Sequence, residues 1–426
     1  MAETAMSVTP YWELTFDADG DADPRRRERC LTGAVRRGVR DLVVFAHGWN
    51  NDRSAATRLY SRFFEPFPDL APAAALGYAG VVWPSMRFAD EPIPDFPRAL
   101  AAEQPTRPVL DKDTRQALLE TFPGRAAVVD RLARLLDRQP DGPDGLEEFG
   151  RLVRLLVEVS GPQEGYAADT DAEGEPALFS APVAQVCEDF ARALGRGPAF
   201  SIPNPWDGAH ELLRQATYYA MKRRAGTVGE RGLGELIGQL AAAAPEVRVH
   251  LVGHSFGARL VAFALRGLPP GVRTVKSVTL LQGAFSQYAF ASRLPHDPSA
   301  GGALRGRQRR IDGPLVCCHS RHDSALGTMY PLASRMAGDD RAVTGSGLGR
   351  ALGPRWGAIG YDGIQAVDGT RVCPLSDVLR GRLPASGCVN VDVASVVRRG
   401  GPPAGAHSDI AHRELAQVVL TAGRIG

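Results

Sequence analysis

Apolar residues near the start of the chain come in short dense runs, with one stretch of helical spacing between them. Tyr11 to Phe16 alternates as an opening strand does and ends in the turn-rich DADGDAD, after which the charge pattern predicts a basic linker. Asp41-Leu42-Val43-Val44-Phe45-Ala46 is apolar without alternation, the pattern of a strand covered on both faces, and it runs into His47-Gly48. From Asn51 to Phe67 the period becomes helical, with Ala55, Leu59 and Phe63 on one face, until Pro66 and Pro68 stop it. Gly80-Val81-Val82-Trp83-Pro84 is strand-like again. Strand, helix, strand in sequence order predicts a parallel sheet.

The strands then stop. Between about Phe88 and Asp207, stretches such as Ala126 to Leu136 and Gly150 to Val159 are amphipathic at helical spacing. Segments rich in Pro, Gly and Asp, such as Gln139 to Gly145 and Gly161 to Pro176, separate them. Sheet order resumes with a helix over Gly232 to Ala244, a strand over Val247 to Val252 and a helix over Phe256 to Leu268. Strands over Ser277 to Leu281 and Pro314 to Cys318 follow. Glycine-rich Gly338 to Gly369 reads as long loop; a strand over Val389 to Val397 and a helix from about Asp409 to Ala422 close the chain. The expected fold class is α/β: a mostly parallel sheet flanked by helices, formed by residues 1–87 and 208–426, with a large, mainly helical insertion over 88–207.

Composition narrows the classes. The chain has 426 residues, 44% of them hydrophobic and 23% charged, enough to bury a core without disulfides or metals. A formal net charge of +2 gives no electrostatic argument for nucleic acid or an anionic membrane, and runs such as Arg25-Arg26-Arg27 read as a solvated face. Six cysteines (Cys30, Cys187, Cys317, Cys318, Cys373 and Cys388) show no CxxC and no Cys/His ligand spacing. Cys317 and Cys318 are neighbours in an expected strand, where they point to opposite faces and pack. The amino terminus lacks an apolar stretch of secretory type, and nothing approaches eighteen consecutive apolar residues. A cytoplasmic location is the expectation.

The chemistry concentrates at Gly253-His254-Ser255-Phe256-Gly257. In a chain with 47 glycines, G-x-S-x-G alone is weak; between a buried strand and an apolar helix it is specific. So tight a turn strains the serine backbone and exposes its hydroxyl above the sheet. A serine hydroxyl needs a base, and the base an orienting acid, and on such an elbow the chain order is Ser, then Asp or Glu, then His. The loop Gln282 to Pro295 has no carboxylate, Asp297 lies too far along, and Asp312 precedes its strand. Asp323 follows the strand Pro314 to Cys318, at the carboxyl end where open α/β sheets build sites; its plainer reading is a helix cap. His407, in the loop between the last strand and last helix, is the preferred base. His412 falls inside the expected helix, and His319 and His322 would reverse the order. Ser408 and Asp409 read as capping residues. The backbone amide of Phe256 and that of Trp49, in the loop His47-Gly48-Trp49-Asn50-Asn51, are the candidate oxyanion donors. Asn50 and Asn51 also read as caps of the next helix, and His47 as structural.

At FAHGWNN and VHLVGHSFGARL the chain resembles the α/β-hydrolase superfamily, most of all its lipase- or esterase-like bacterial members. The likeness covers roughly Asp41 to Pro84 and Ala225 to the carboxyl terminus. It implies a serine hydrolase acting on a small-molecule or lipid-like acyl substrate. Ser255 is then the nucleophile, His407 the base, Asp323 the acid, and Trp49 and Phe256 the oxyanion donors, with no metal or organic cofactor. Many members carry their cap later in the chain than residues 88–207, and a GGG oxyanion motif is absent here. Ester hydrolysis is the leading reading. A thioesterase, amidase or acyltransferase would use the same acyl-serine, and a non-catalytic scaffold would use the insertion as a surface for a protein partner.

Overall fold

The computed structural model describes residues 6–49, 51–85, 110–157, 169, 182–193, 204–329, 357–401 and 404–426. Eight strands form one sheet: β1 (Tyr11–Thr15), β2 (Asp41–Ala46), β3 (Leu76–Val82), β4 (Arg248–His254), β5 (Val275–Leu281), β6 (Pro314–His319), β7 (Arg371–Pro374) and β8 (Gly387–Asp392). Their order is β1-β3-β2-β4-β5-β6-β8-β7, and every neighbouring pair is parallel. The longer helices are α1 (Pro24–Arg36), α2 (Arg53–Phe64), α3 (Lys112–Thr121), α4 (Ala126–Arg138), α5 (Pro143–Val157), α6 (Val183–Ala193), α7 (Pro205–Thr227), α8 (Gly234–Ala243), α9 (Phe256–Gly267) and α10 (Arg413–Gly423).

The unbroken apolar runs of the inner strands follow from burial on both faces. Leu42, Val44 and Ala46 of β2 and Val249 and Leu251 of β4 pack into one cluster with Ala34 of α1, Leu236 of α8 and Leu260 of α9. Val43, Phe45 and Val252 point the other way, into a second cluster with Phe63 of α2 and Val418 of α10. Cys317 and Cys318 divide between the same two clusters, and all six cysteines are free thiols.

Several expectations need correction. The basic linker is helix α1: Asp23 accepts from the Arg26 amide at 2.9 Å and Pro24 opens the first turn. Only Cys30, Gly33 and Ala34 are fully buried along it, too few to show as a stripe among five arginines. Gly33 lets it lie on β1, since a Cβ there would meet the Trp12 ring at 2.5 Å. β3 starts at Leu76, ahead of the expected Gly80. α7 was absent from the sequence pattern because it is buried on more than one side, with Leu212, Leu213, Ala216 and Met221 all enclosed. It crosses the expected boundary at residue 207 and continues through a π-helical turn, Val228–Leu233, into α8. β7, four residues at the sheet edge with Val372 75% exposed, also escaped the pattern. The last strand ends at Asp392, whose carboxylate takes the Ala394 amide at 2.8 Å and turns the chain. α10 begins at Arg413, so His412 is its N-cap and lies outside the helix body.

Among the described residues of 88–207 there are four helices, α3 to α6, the start of α7, and no strand. Val129, Leu132, Phe149, Val153, Phe190 and Leu213 belong to the same apolar cluster as one face of the sheet, so these helices share the sheet's core. Parts of Gly161 to Pro176 and Gly338 to Gly369 lie outside the described residues, as does Asn50. Among the described residues no helix is long and apolar enough to cross a membrane.

Candidate active site

β4 ends at His254 and α9 begins at Phe256, so Ser255 makes the strand-to-helix turn alone, at φ 56° and ψ −120°. A side-chain-bearing residue held there carries about 1–3 kcal/mol of strain. The surroundings impose it. Ser255 N–H donates to Leu281 O at 3.1 Å, and its carbonyl accepts from Ala284 N–H at 3.2 Å, tying the elbow to the end of β5. Gly253 and Gly257 let the backbones cross: a Cβ on Gly253 would lie 2.3 Å from Gly257 O, and one on Gly257 2.0 Å from Ala46 O.

The loops after β6 and β8 leave the same carboxyl edge of the sheet as the elbow, the second reaching the serine and the first backing it. His407 Nε2 stands 2.9 Å from Ser255 Oγ, and His407 Nδ1 stands 2.7 Å from Asp323 Oδ2. Asp323 is fully buried, and its other oxygen accepts from Leu326 N–H at 3.0 Å, so the same carboxylate caps its loop and orients the ring. The Asp323 and His407 loops are joined by backbone: Ala406 N–H donates to His322 O at 2.9 Å and Ala325 N–H to Ala404 O at 3.2 Å. Gly405, at φ 62°, makes this approach feasible, because a Cβ there would lie 2.5 Å from His322 O.

The loop after β2 closes the third side. A Cβ on Gly48 would lie 2.7 Å from Ser255 Cβ, so this turn rests directly on the serine. The Gly48 carbonyl accepts from His47 Nδ1 at 2.8 Å and from Asn51 Nδ2 at 3.3 Å. The trans peptide is planar, so the Trp49 N–H on its opposite edge is turned away from those two side chains. Phe256 contributes the first amide of α9, at the positive end of the helix dipole, where N–H groups have no intrahelical acceptor. The Trp49 and Phe256 rings lie 6.3 Å apart, with Tyr218 of α7 packed on both at 5.3 and 4.7 Å.

Two further histidines are buried and neutral. His47 donates from Nδ1, takes the Trp83 amide on Nε2 at 3.5 Å and stacks on the Trp83 ring; burial, above all, pushes its pKa down to about 4. His254 Nε2 lies 2.8 Å from the His407 carbonyl; burial, then the neighbouring His407, pushes its pKa down to about 3. Tyr60 links these strands, accepting from His47 N–H at 3.0 Å and donating to Val81 O at 2.5 Å.

Ser255, Asp323 and His407 thus meet, while the rejected candidates do not join them. Asp297 binds its own turn through Ser299, and Asp312 pairs with Lys276. His412 Nε2 contacts Asp409 at 2.8 Å. Asp409 does not cap α10; it also accepts from the Arg398 and Arg399 amides and braces the His407 loop. Asn51 pins the Gly48 and Trp49 carbonyls, and Asp52 is the cap of α2. Two groups went unforeseen. His254 stood in the motif as an unspecified position, and no local pattern links it to residue 407. Asp169 is 7% exposed and binds Lys222 at 2.5 Å, Arg259 at 3.1 Å and the Ser286 amide at 3.0 Å. Burial alone would raise the Asp169 pKa; Lys222 and Arg259 outweigh that and hold it low. A depression of about 610 Å3 beside Val247 and Lys276 lies at the amino ends of β4 and β5, away from this site. Among the described residues no group of three His, Cys, Asp or Glu side chains is placed to hold a metal ion.

No family model, no curated protein and no solved structure matches the chain.

Proposed function

We propose that the chain is a serine hydrolase of the α/β-hydrolase type that cleaves a carboxylic ester through an acyl-enzyme. The observation that carries this reading is the continuous hydrogen-bond line Ser255–His407–Asp323, at 2.9 and 2.7 Å, on a serine in a left-handed turn at the carboxyl end of a parallel sheet. Ser255 Oγ attacks the ester carbonyl as its proton passes to His407 Nε2, and buried Asp323 orients and stabilises the imidazolium. The oxygen, now negative, sits against the Trp49 and Phe256 amides. Collapse of the tetrahedral intermediate breaks the bond to the alkoxy group, which leaves as the alcohol with the Nε2 proton. Water, deprotonated by the same nitrogen, then releases the acid and restores Ser255. A thioester, an amide or a transferred acyl group would enter through the same acyl-serine. Tyr218 packs on Trp49 and Phe256, and the helices of residues 88–207 share the apolar cluster that these rings join; in this reading they serve as a lid or as a partner surface. Six free thiols fit a protein of a reducing compartment, and we place it in the cytoplasm.

Labelling with a fluorophosphonate probe tests this reading. The native chain reacts covalently and Ser255→Ala does not; a folded native chain that stays unlabelled leaves the scaffold reading in its place. A panel of acyl lengths and leaving groups then assigns the substrate.

A further inference from the structure

We propose that His254 is a positioning residue that sets how closely the base approaches the nucleophile, by holding the His407 backbone from the end of β4; this rests on the hydrolase reading above. Asp323 fixes the rotation of the His407 ring through Nδ1, and its loop is bonded to that of His407 at His322 and Ala325, but none of these bonds reaches β4. Among the described residues the His407 amide makes only a long contact, 3.4 Å to Ala404 O. The His407 carbonyl is held at 2.8 Å by His254 Nε2, and His254 is covalently joined to Ser255. That bond therefore references the base to the same strand end that carries the hydroxyl. The two imidazoles pack with centroids 5.0 Å apart, so the His254 ring also limits sideways movement of the His407 ring.

The hydrogen-bond chemistry of His254 argues against a merely space-filling role. A carbonyl can only accept, so His254 Nε2 carries the hydrogen and Nδ1 is left as an acceptor. Among the described residues that Nδ1 is buried with no partner. A buried acceptor without a donor costs about 1–3 kcal/mol, which a leucine of similar size would avoid. Among the described residues, the bond to His407 is the one that offsets this polar cost. The dry surroundings and the adjacent His407 keep this ring neutral, so the developing imidazolium at His407 faces a dipole and no second cation.

The test compares His254→Leu, which has no donor, with His254→Gln, whose side-chain N–H stands at a similar remove from the backbone. For a chromogenic ester, His254→Leu lowers kcat about tenfold to a hundredfold, the effect of misplacing a reacting group by up to about 1 Å, with KM changed less than about threefold. His254→Gln restores most of the loss, and fluorophosphonate labelling rates follow the same order. Melting curves confirm folding; if the leucine variant does not fold, His254→Asn, whose amide stops one bond short, takes its place and is slow as well. Wild-type kcat in the donor-free variant, or a glutamine variant as slow as leucine, overturns the assignment. Absence of any labelling in the native chain sinks the hydrolase reading and this inference with it, whereas equal labelling of native and His254→Leu chains sinks only this inference.

Discussion

Gly48→Ala isolates the loop after β2 as a component of the site. The added methyl would sit 2.7 Å from Ser255 Cβ, with His254 Nδ1 and O both at 3.3 Å. That is roughly 0.8 Å inside the carbon–carbon contact distance of about 3.5 Å. The serine cannot retreat, because its amide and carbonyl are bound to Leu281 and Ala284. The loop must yield against its own anchors, His47 and Asn51 on the Gly48 carbonyl, and it carries the Trp49 amide away with it. Complete loss of one oxyanion donor costs about 100- to 1,000-fold in kcat. A displacement of this size should cost on the order of 30- to 100-fold. KM should move little, since the negative oxygen exists only beyond the ground state. The accompanying overpacking lowers stability by about 1–3 kcal/mol, which leaves the chain folded at 25 °C. Steady-state hydrolysis of a chromogenic ester measures the effect, with Gly401→Ala, where the methyl meets none of the described residues within 4 Å, as the control. A Gly48→Ala variant with kcat within twofold of wild type would refute the proposed role of this loop as an oxyanion donor.

Two further outcomes concern stability. His47 and His254 are held neutral with pKa values of about 4 and about 3, against an ordinary 6.5, so below about pH 6.5 the unfolded chain binds protons that the folded chain refuses. Their contribution is full above that value and erodes as pH falls, by about 2 kcal/mol each at about pH 5. Urea midpoints at neutral and mildly acid pH should show this loss and His47→Gln should shrink it; a midpoint independent of pH in that window contradicts the burial of neutral rings. Asp169→Ala removes a carboxylate shared by two enclosed cations, Lys222 and Arg259, and should cost about 3–5 kcal/mol in urea at neutral pH. A loss under about 1 kcal/mol would mean that this ionic cluster contributes little to joining α7, α9 and the loop at Ser286.

The inner strands and the elbow were legible because their signals are local. A strand covered on both faces must be apolar throughout, and a turn made by one residue between a strand and a helix requires small neighbours, so Asp41 to Ala46 and Gly253 to Gly257 announce themselves. Chain order at the carboxyl ends of strands was enough to select Ser255, Asp323 and His407 as candidates. What failed was also physical. α1 hides behind its arginines because few of its positions are buried, α7 because its surface is enclosed on several sides, and β7 because an exposed edge strand of four residues needs no apolar pattern.

Only tertiary structure could decide which distant groups meet. The contact between His254 and His407 spans 153 residues. That between Asp169 and Arg259 spans 90. Both arise because the sheet brings loop ends together while burial removes water as the competing partner. Sequence periodicity records which side of an element is dry; it does not record which polar atom will be waiting there when the faces close.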